Sequence, residues 1–287
     1  MKGFNKEKGF NTLFLVIMLI LTCGLLMAFK IKTDNIKREK IPGASVLYLP
    51  KAKFLKYATF GYDEILADLV YIWAIQYYSD YSIFDRFQYL DHIFEVIAEL
   101  DPEYVDPYDI GAVIAVYEAK DLALAFNILD RGLEKNPDEW LFPFMAGHYA
   151  QMFIKDYKIA QGYYKKAMEI EGAPAHTRRL YANAVFMSMD YQTALKQWLE
   201  IYNTAEDERT KKIASNHIYR VKAAIDIQAI SRAIEKFKEK YSRNPMDLSQ
   251  LVKAGFLVSL PKDLDGKDYL YDSQTGEVKA PTIHWKR

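Results

Sequence analysis

The sequence predicts a mainly α-helical protein: an N-terminal transmembrane helix, an α-solenoid of about four helical hairpins, and a small C-terminal α+β module with a β-hairpin. Three observations predict it: an uncharged apolar run near the start, an internal period of 34–35 residues through the middle, and a change of texture after Tyr241. The division that follows is 1–32 signal anchor, 33–50 linker, 51–222 helical repeats and 223–287 C-terminal module.

Phe10 to Phe29 carries no charge. Twenty residues at about 1.5 Å each span roughly 30 Å, the thickness of a bilayer core. Lys2, Lys6 and Lys8 precede it and Lys30 and Lys32 follow. No A-x-A cleavage site follows the run, so it reads as an uncleaved signal anchor holding the chain to the lipid bilayer through residues 10–29. Cys23 is the sole cysteine. It leaves no intramolecular disulfide, and Thr22 before it makes a poor lipoprotein site. Three Lys before the span against five Lys/Arg after it favour a cytoplasmic soluble part on the positive-inside count. Short basic tails before a signal anchor stay inside regardless, and on that ground the soluble part is expected outside the cytoplasm.

Thr33 to Val46 reads as a charged linker with Pro42-Gly43. Lys51 to Thr59 follows as a short helix that Gly61 ends. Asp63 is the expected N-cap of a helix over Glu64 to Tyr78. Asp68 is placed on that helix's solvated stripe. Lys53 and Lys56 suit a lipid head group or an anionic partner, but two lysines are not a basic patch.

Asp121-Leu122-Ala123-Leu124-Ala125 recurs as Asp156-Tyr157-Lys158-Ile159-Ala160 and as Asp190-Tyr191-Gln192-Thr193-Ala194. On this frame the second helices carry Leu90, Ala125, Ala160 and Ala194. Four residues later come Phe94, Leu129, Tyr164 and Trp198, and three more give Ile97, Gly132, Ala167 and Ile201. The small residue lets two helices approach, and the bulky one fills the gap beyond. Asp101-Pro102, Asn136-Pro137 and Glu171-Gly172 end the units, because Pro and Gly stop helices. The abundant tyrosines (22) are placed in this packing.

The period, the small/aromatic/small order and the terminal Pro resemble the tetratricopeptide repeat family over roughly Leu69 to Tyr202. Trp73 and Ala146-Gly147 suit the family's first helices. Ile110-Gly111 is slightly out of frame, and the fourth unit has no glycine there. The resemblance implies a groove lined by the first helices that binds a protein or peptide. Its outward positions are Tyr117, Tyr149, Met152, Arg179, Asn183 and Phe186; packing between units is the plainer role for each.

Asp207 to Tyr241 is expected to be mostly helix, with a stripe at Ile227, Ile230, Ile234, Phe237 and Tyr241. Arg243-Asn244-Pro245 is a turn, Met246 to Ala254 a short helix ended by Gly255, and Asp268–Asp272 with Glu277–Lys279 a hairpin. Tyr241, Pro245, Leu248, Leu251-Val252, Leu260-Pro261, Asp263, Gly266, Tyr269 and Tyr271 are similar to the globular part of type II secretion pseudopilins. That resemblance implies, as an alternative, a structural subunit of a secretion or pilus system. Lys8-Gly9-Phe10 has the flavour of a prepilin cleavage site, but Phe14 stands where the family expects Glu. The simpler role for this part is a cap on the repeat stack.

The remaining chemistry is sparse. Lys+Arg and Asp+Glu are 38 each, so no electrostatic case exists for nucleic acid. His92, His148, His176, His217 and His284 are scattered without metal-ligand spacing. There is no phosphate loop and no G-x-S-x-G. Asp263 to Asp268 resembles half a calcium loop, but Gln274 stands at the twelfth place, and a plain Asp-Gly turn is the simpler account. The sequence therefore points to no catalytic residues, no metal and no cofactor. It points to a membrane-anchored scaffold for protein–protein interaction at a bacterial-type cell envelope, in a secretion, pilus or transport assembly.

Overall fold

The computed structural model describes residues 4–34 and 49–281. Lys2, the linker from Asn35 to Tyr48 and His284 lie outside the described residues, as do the side chains of Lys6, Lys8, Phe10 and Phe14. The chain forms two units, residues 1–49 with 81–88, and residues 50–80 with 89–287.

The first unit contains α1 (Phe4–Asp34). Its stretch Val16–Thr33 is long and apolar enough to cross a membrane, and none of it is buried. Thr33 donates its hydroxyl to the Phe29 carbonyl at 2.7 Å and Thr22 does the same to Met18, so both polar side chains are satisfied without water. The helix continues through Thr33 and Asp34, past the expected start of the linker. In residues 81–88 the Arg86 guanidinium lies over the Tyr81 and Phe87 rings, at 4.6 and 4.4 Å.

The second unit opens with α2 (Ala52–Ala58) and α3 (Asp63–Ser79), separated by Gly61 at φ +91°. Asp63 is not the N-cap; it is the first helical residue, and its carboxylate takes the Thr59 hydroxyl instead of a backbone N–H. Asp68 is exposed. Then come α4 (Leu90–Leu100), α5 (Val105–Ile114), α6 (Leu122–Lys135), α7 (Leu141–Tyr149), α8 (Tyr157–Glu169), α9 (His176–Met187) and α10 (Tyr191–Thr204). Each packs on the next, as consecutive hairpins of an α-solenoid do.

The twelve framed positions explain the stacking. All are buried, from Leu90, Ala125, Ala160 and Ala194 through to Ile97, Gly132, Ala167 and Ile201. Spacing of four and three keeps them on one helical face. The aromatic members then meet glycines. A Cβ on Gly111 would stand 2.9 Å from the Phe94 ring, and one on Gly147 2.8 Å from Tyr164. Only a residue without a side chain allows α5 and α7 to lie that close. Polar ties join successive units: Asn136 donates to the Pro102 carbonyl (2.8 Å) and Tyr163 to Asp130 (3.1 Å), 34 and 33 residues apart, and Arg131 donates to Asp91 (3.0 Å), 40 apart.

α11 (Glu208–Tyr241) runs unbroken across residues 222–223, with Asp207 as its N-cap. Its first half, through Ala214, Ile218, Val221 and Ile225, packs on Trp198 and Ile201 of α10. Its second half, through Ile230, Ala233, Ile234 and Phe237, packs on Leu251, Tyr269 and Val278. The last apolar face of the stack is thus covered by the start of α11, not by the hairpin module. Asp226 marks the change: it is buried and accepts the Tyr269 hydroxyl at 2.7 Å together with the Lys222 ammonium.

The module is leaner than the sequence suggests. α12 covers only Ser249–Lys253, because Asp247 takes the Ser249 N–H in a turn (2.8 Å) and starts the helix late. β1 (Leu270–Tyr271) pairs antiparallel with β2 (Val278–Lys279), two residues each. Asn244 donates to the carbonyls of Ser273 and Gln274, both at 3.2 Å, and so ties the hairpin loop to the turn after α11.

Candidate partner-binding face of the first helices

α5 and α7, the first helices of two successive hairpins, lie in contact, and their ends are built alike. α5 continues into a π-type turn, Ala115–Ala119, and α7 into another, Ala150–Ile154. Each closes through a left-handed lysine, Lys120 or Lys155, both at φ 59°, followed at once by an N-cap aspartate. Asp121 N–H reaches the Ala115 carbonyl at 2.8 Å, and Asp156 N–H the Ala150 carbonyl at 3.3 Å. Asp121, Asp156, Asp190 and Asp207 all accept backbone N–H groups two or three residues on. A π turn holds more residues than an α turn, so it re-aims the side chains it carries. Tyr117, Met152, Phe153 and Ile154 lie in these two turns, and all four are exposed.

The six expected positions do not form one cluster. Tyr117 and Tyr149 touch, with ring centroids 6.3 Å apart, and both touch Phe153, at 5.5 and 6.0 Å. Tyr149 is fully buried, however, and presents no side-chain surface; it is the floor of this aromatic group rather than a contact residue. Met152 is exposed beside Phe153. Arg179 and Asn183 are half-buried on α9. Phe186 is occupied from within, by Tyr191 (5.5 Å) and by the Arg220 guanidinium over its ring (4.7 Å), so it packs α9 against α10 and α11.

Beside the aromatic group sits a carboxylate that the sequence reading passed over. Burial, and then the nearby Asp106, raises the Asp109 carboxyl above the usual range. Burial, then Asp109 and Tyr117, pushes the Tyr149 hydroxyl well above a normal phenol. Tyr71 on α3 is pushed up to about 12, by burial first and then Asp106. Its ring meets Tyr104 edge-on at 5.4 Å. Asp109 Oδ1, Tyr149 Oη and Gln151 Oε1 are buried with no hydrogen-bond partner in the protein. Such orphaned atoms are uncommon in folded chains and ask for an explanation. The Lys-Asp pair repeated at 120–121 and 155–156 was the available sequence signal for the π turns.

Elsewhere the polar groups serve the fold. Asp263 accepts the N–H groups of Asp265 (3.0 Å) and Lys267 (2.7 Å), Asp265 accepts the Tyr219 hydroxyl (2.9 Å), and Asp268 pairs with Lys262. This is a self-satisfied Asp-Gly turn. Among the described residues no group of three or more His, Cys, Asp or Glu is placed to hold a metal ion. His217 stacks flat on Trp198 with centroids 4.0 Å apart; burial, then Arg220, lowers it to about 4.

No family model matches this chain, and no curated protein matches it in sequence.

Proposed function

We propose that this protein is a single-pass, membrane-anchored scaffold of tetratricopeptide type, at a bacterial-type cell envelope, with its soluble part outside the cytoplasm. Its first-helix face holds a protein or peptide partner, and it performs no catalysis of its own. One observation carries the reading. Tyr117, Met152, Phe153 and Ile154 expose apolar side chains on the two π-type turns, with Tyr117 and Phe153 in ring contact over buried Tyr149. Exposed aromatic and aliphatic contact area of this kind suits a segment that brings apolar side chains of its own. Such a scaffold fits a secretion, pilus or transport assembly.

A photo-crosslinking residue at Tyr117 or Met152, irradiated in native membranes, should give one protein adduct of the same mass from both positions. The same probe at Lys165, exposed on α8, should not give it. Absence of adducts at 117 and 152, or equal labelling at 165, would overturn the reading.

A further inference from the structure

In sequence, Lys53 and Lys56 stand alone. The fold gives them company. α2 lies against α4, and a cleft of about 300 Å³ beside it is lined by Lys53, Lys56, Glu99, Tyr108, Arg131 and Lys135. Four cations face one carboxylate there, and Arg131 also reaches Asp91. The outer side of α2 is aromatic. Ala52 turns inward, while Phe54 and Tyr57, three residues apart on one face, are 59% and 84% exposed. Lys53 and Lys56 form the neighbouring row, with the Lys53 ammonium 4.9 Å from the Phe54 ring centre. Phe60 follows at φ +51°, 89% exposed. A bulky side chain is strained in that backbone region. In water, neither packing nor backbone geometry accounts for a phenylalanine there.

We propose that the α2 face is a lipid-binding surface. Lys53, Lys56, Arg131 and Lys135 meet the phosphates of anionic head groups, and Phe54, Tyr57 and Phe60 enter the boundary between head groups and acyl chains. Lysine and aromatic rows side by side are the composition of interfacial elements: the ring seeks the boundary and the ammonium the phosphate. Residues 35–48, which join α1 to this unit, reach at most about 50 Å when extended. A membrane-held α1 therefore keeps α2 within range of the same bilayer. The proposal rests on the anchor reading above for that proximity.

The test uses the full chain in the Cys23→Ser background, reconstituted into phosphatidylcholine vesicles with or without phosphatidylglycerol. A fluorophore on Tyr57→Cys is exposed to lipids carrying a shallow nitroxide quencher, with Lys165→Cys, exposed on α8, as the reference; Leu21→Cys, mid-span on α1, is read with a deep acyl-chain nitroxide. With phosphatidylglycerol, quenching at 57 should exceed that at 165 several-fold. It should fall to the reference level in Lys53→Glu/Lys56→Glu/Lys135→Glu, whose circular dichroism is unchanged. Equal quenching at 57 and 165 overturns the proposal, and so does quenching at 57 that ignores the charge reversals. Energy transfer between labels of two chains at 57, without lipid quenching, assigns the face to a second copy and also overturns it. A quenched 21 with an unquenched 57 leaves the anchor standing and removes this proposal; the converse removes the anchor and keeps the lipid surface.

Discussion

The two ends of the helical stack are finished differently. At the C-terminal end, Val185, Trp198 and Ile201 are closed over by Ala214 and Val221 of α11, whose other side carries exposed Arg209 and Lys212. At the N-terminal end, α3 packs on α4 and buries Ala67, Val70, Ala74, Tyr77 and Tyr78. Ile65, Leu69 and Ile72 form a separate stripe on α3, each more than half exposed. A repeat array needs a terminal helix with a polar outer side to remain soluble. One end has such a helix. The other presents an apolar stripe on α3 and an aromatic row on α2, which is how a surface made for an apolar medium or partner is composed.

The contrast can be broken most strongly at the covered end. Trp198→Ala should cost about 3–5 kcal/mol by urea unfolding in detergent, the usual range for emptying an aromatic core site. Leu69→Ala at the bare end should cost less than about 0.5 kcal/mol, as exposed substitutions do. Equal losses would mean that the two ends are equally closed. Next in size, Gly111→Ala and Gly147→Ala should each cost about 1–3 kcal/mol, since a methyl would press on Phe94 or Tyr164. A loss at 147 alone would show that packing is slack toward the bare end.

The covered end should also carry a pH signature. His217 is lowered to about 4 in the folded chain, by burial and then Arg220, against an ordinary value of 6.5. Between those values the unfolded chain binds the extra proton, so stability is fully present above pH 6.5 and is lost as pH falls toward 4. With the ring part-exposed, the loss should be on the order of 1–2 kcal/mol. Comparing urea midpoints of the wild type and His217→Phe across that window checks it: the variant should lose less. Smaller again, Asp207→Ala should lower the urea midpoint by removing the N-cap of α11. Asp63→Ala, at a helix start where the carboxylate caps no backbone N–H, should cost less in the same assay.

Much of the stack was legible because its determinants are periodic. A residue at every fourth and third place falls on one face whatever surrounds it, so Ala125, Leu129 and Gly132 could be assigned to the interior without coordinates. The same logic misled at Tyr149. The one-dimensional frame marks it as outward, but the α7 helix carries it to the floor between Tyr117 and Phe153. It failed at Asp109 too, because a single aspartate in an apolar helix has no period to betray its burial. Asp63 and α12 show the limit at element ends, where a competing side-chain bond moves the boundary by a few residues.

What the sequence determined by itself was the apolar span, the hairpin period and the place where helix gives way to hairpin, since each depends on residues near one another along the chain. Tertiary structure alone decided which cations share a cleft, which aromatic is floor and which is rim, and that α11 serves two cores with Asp226 between them. Those outcomes join residues tens of positions apart, as Lys53 and Arg131 are. Their proximity is set by how helices stack, and local pattern carries no record of it.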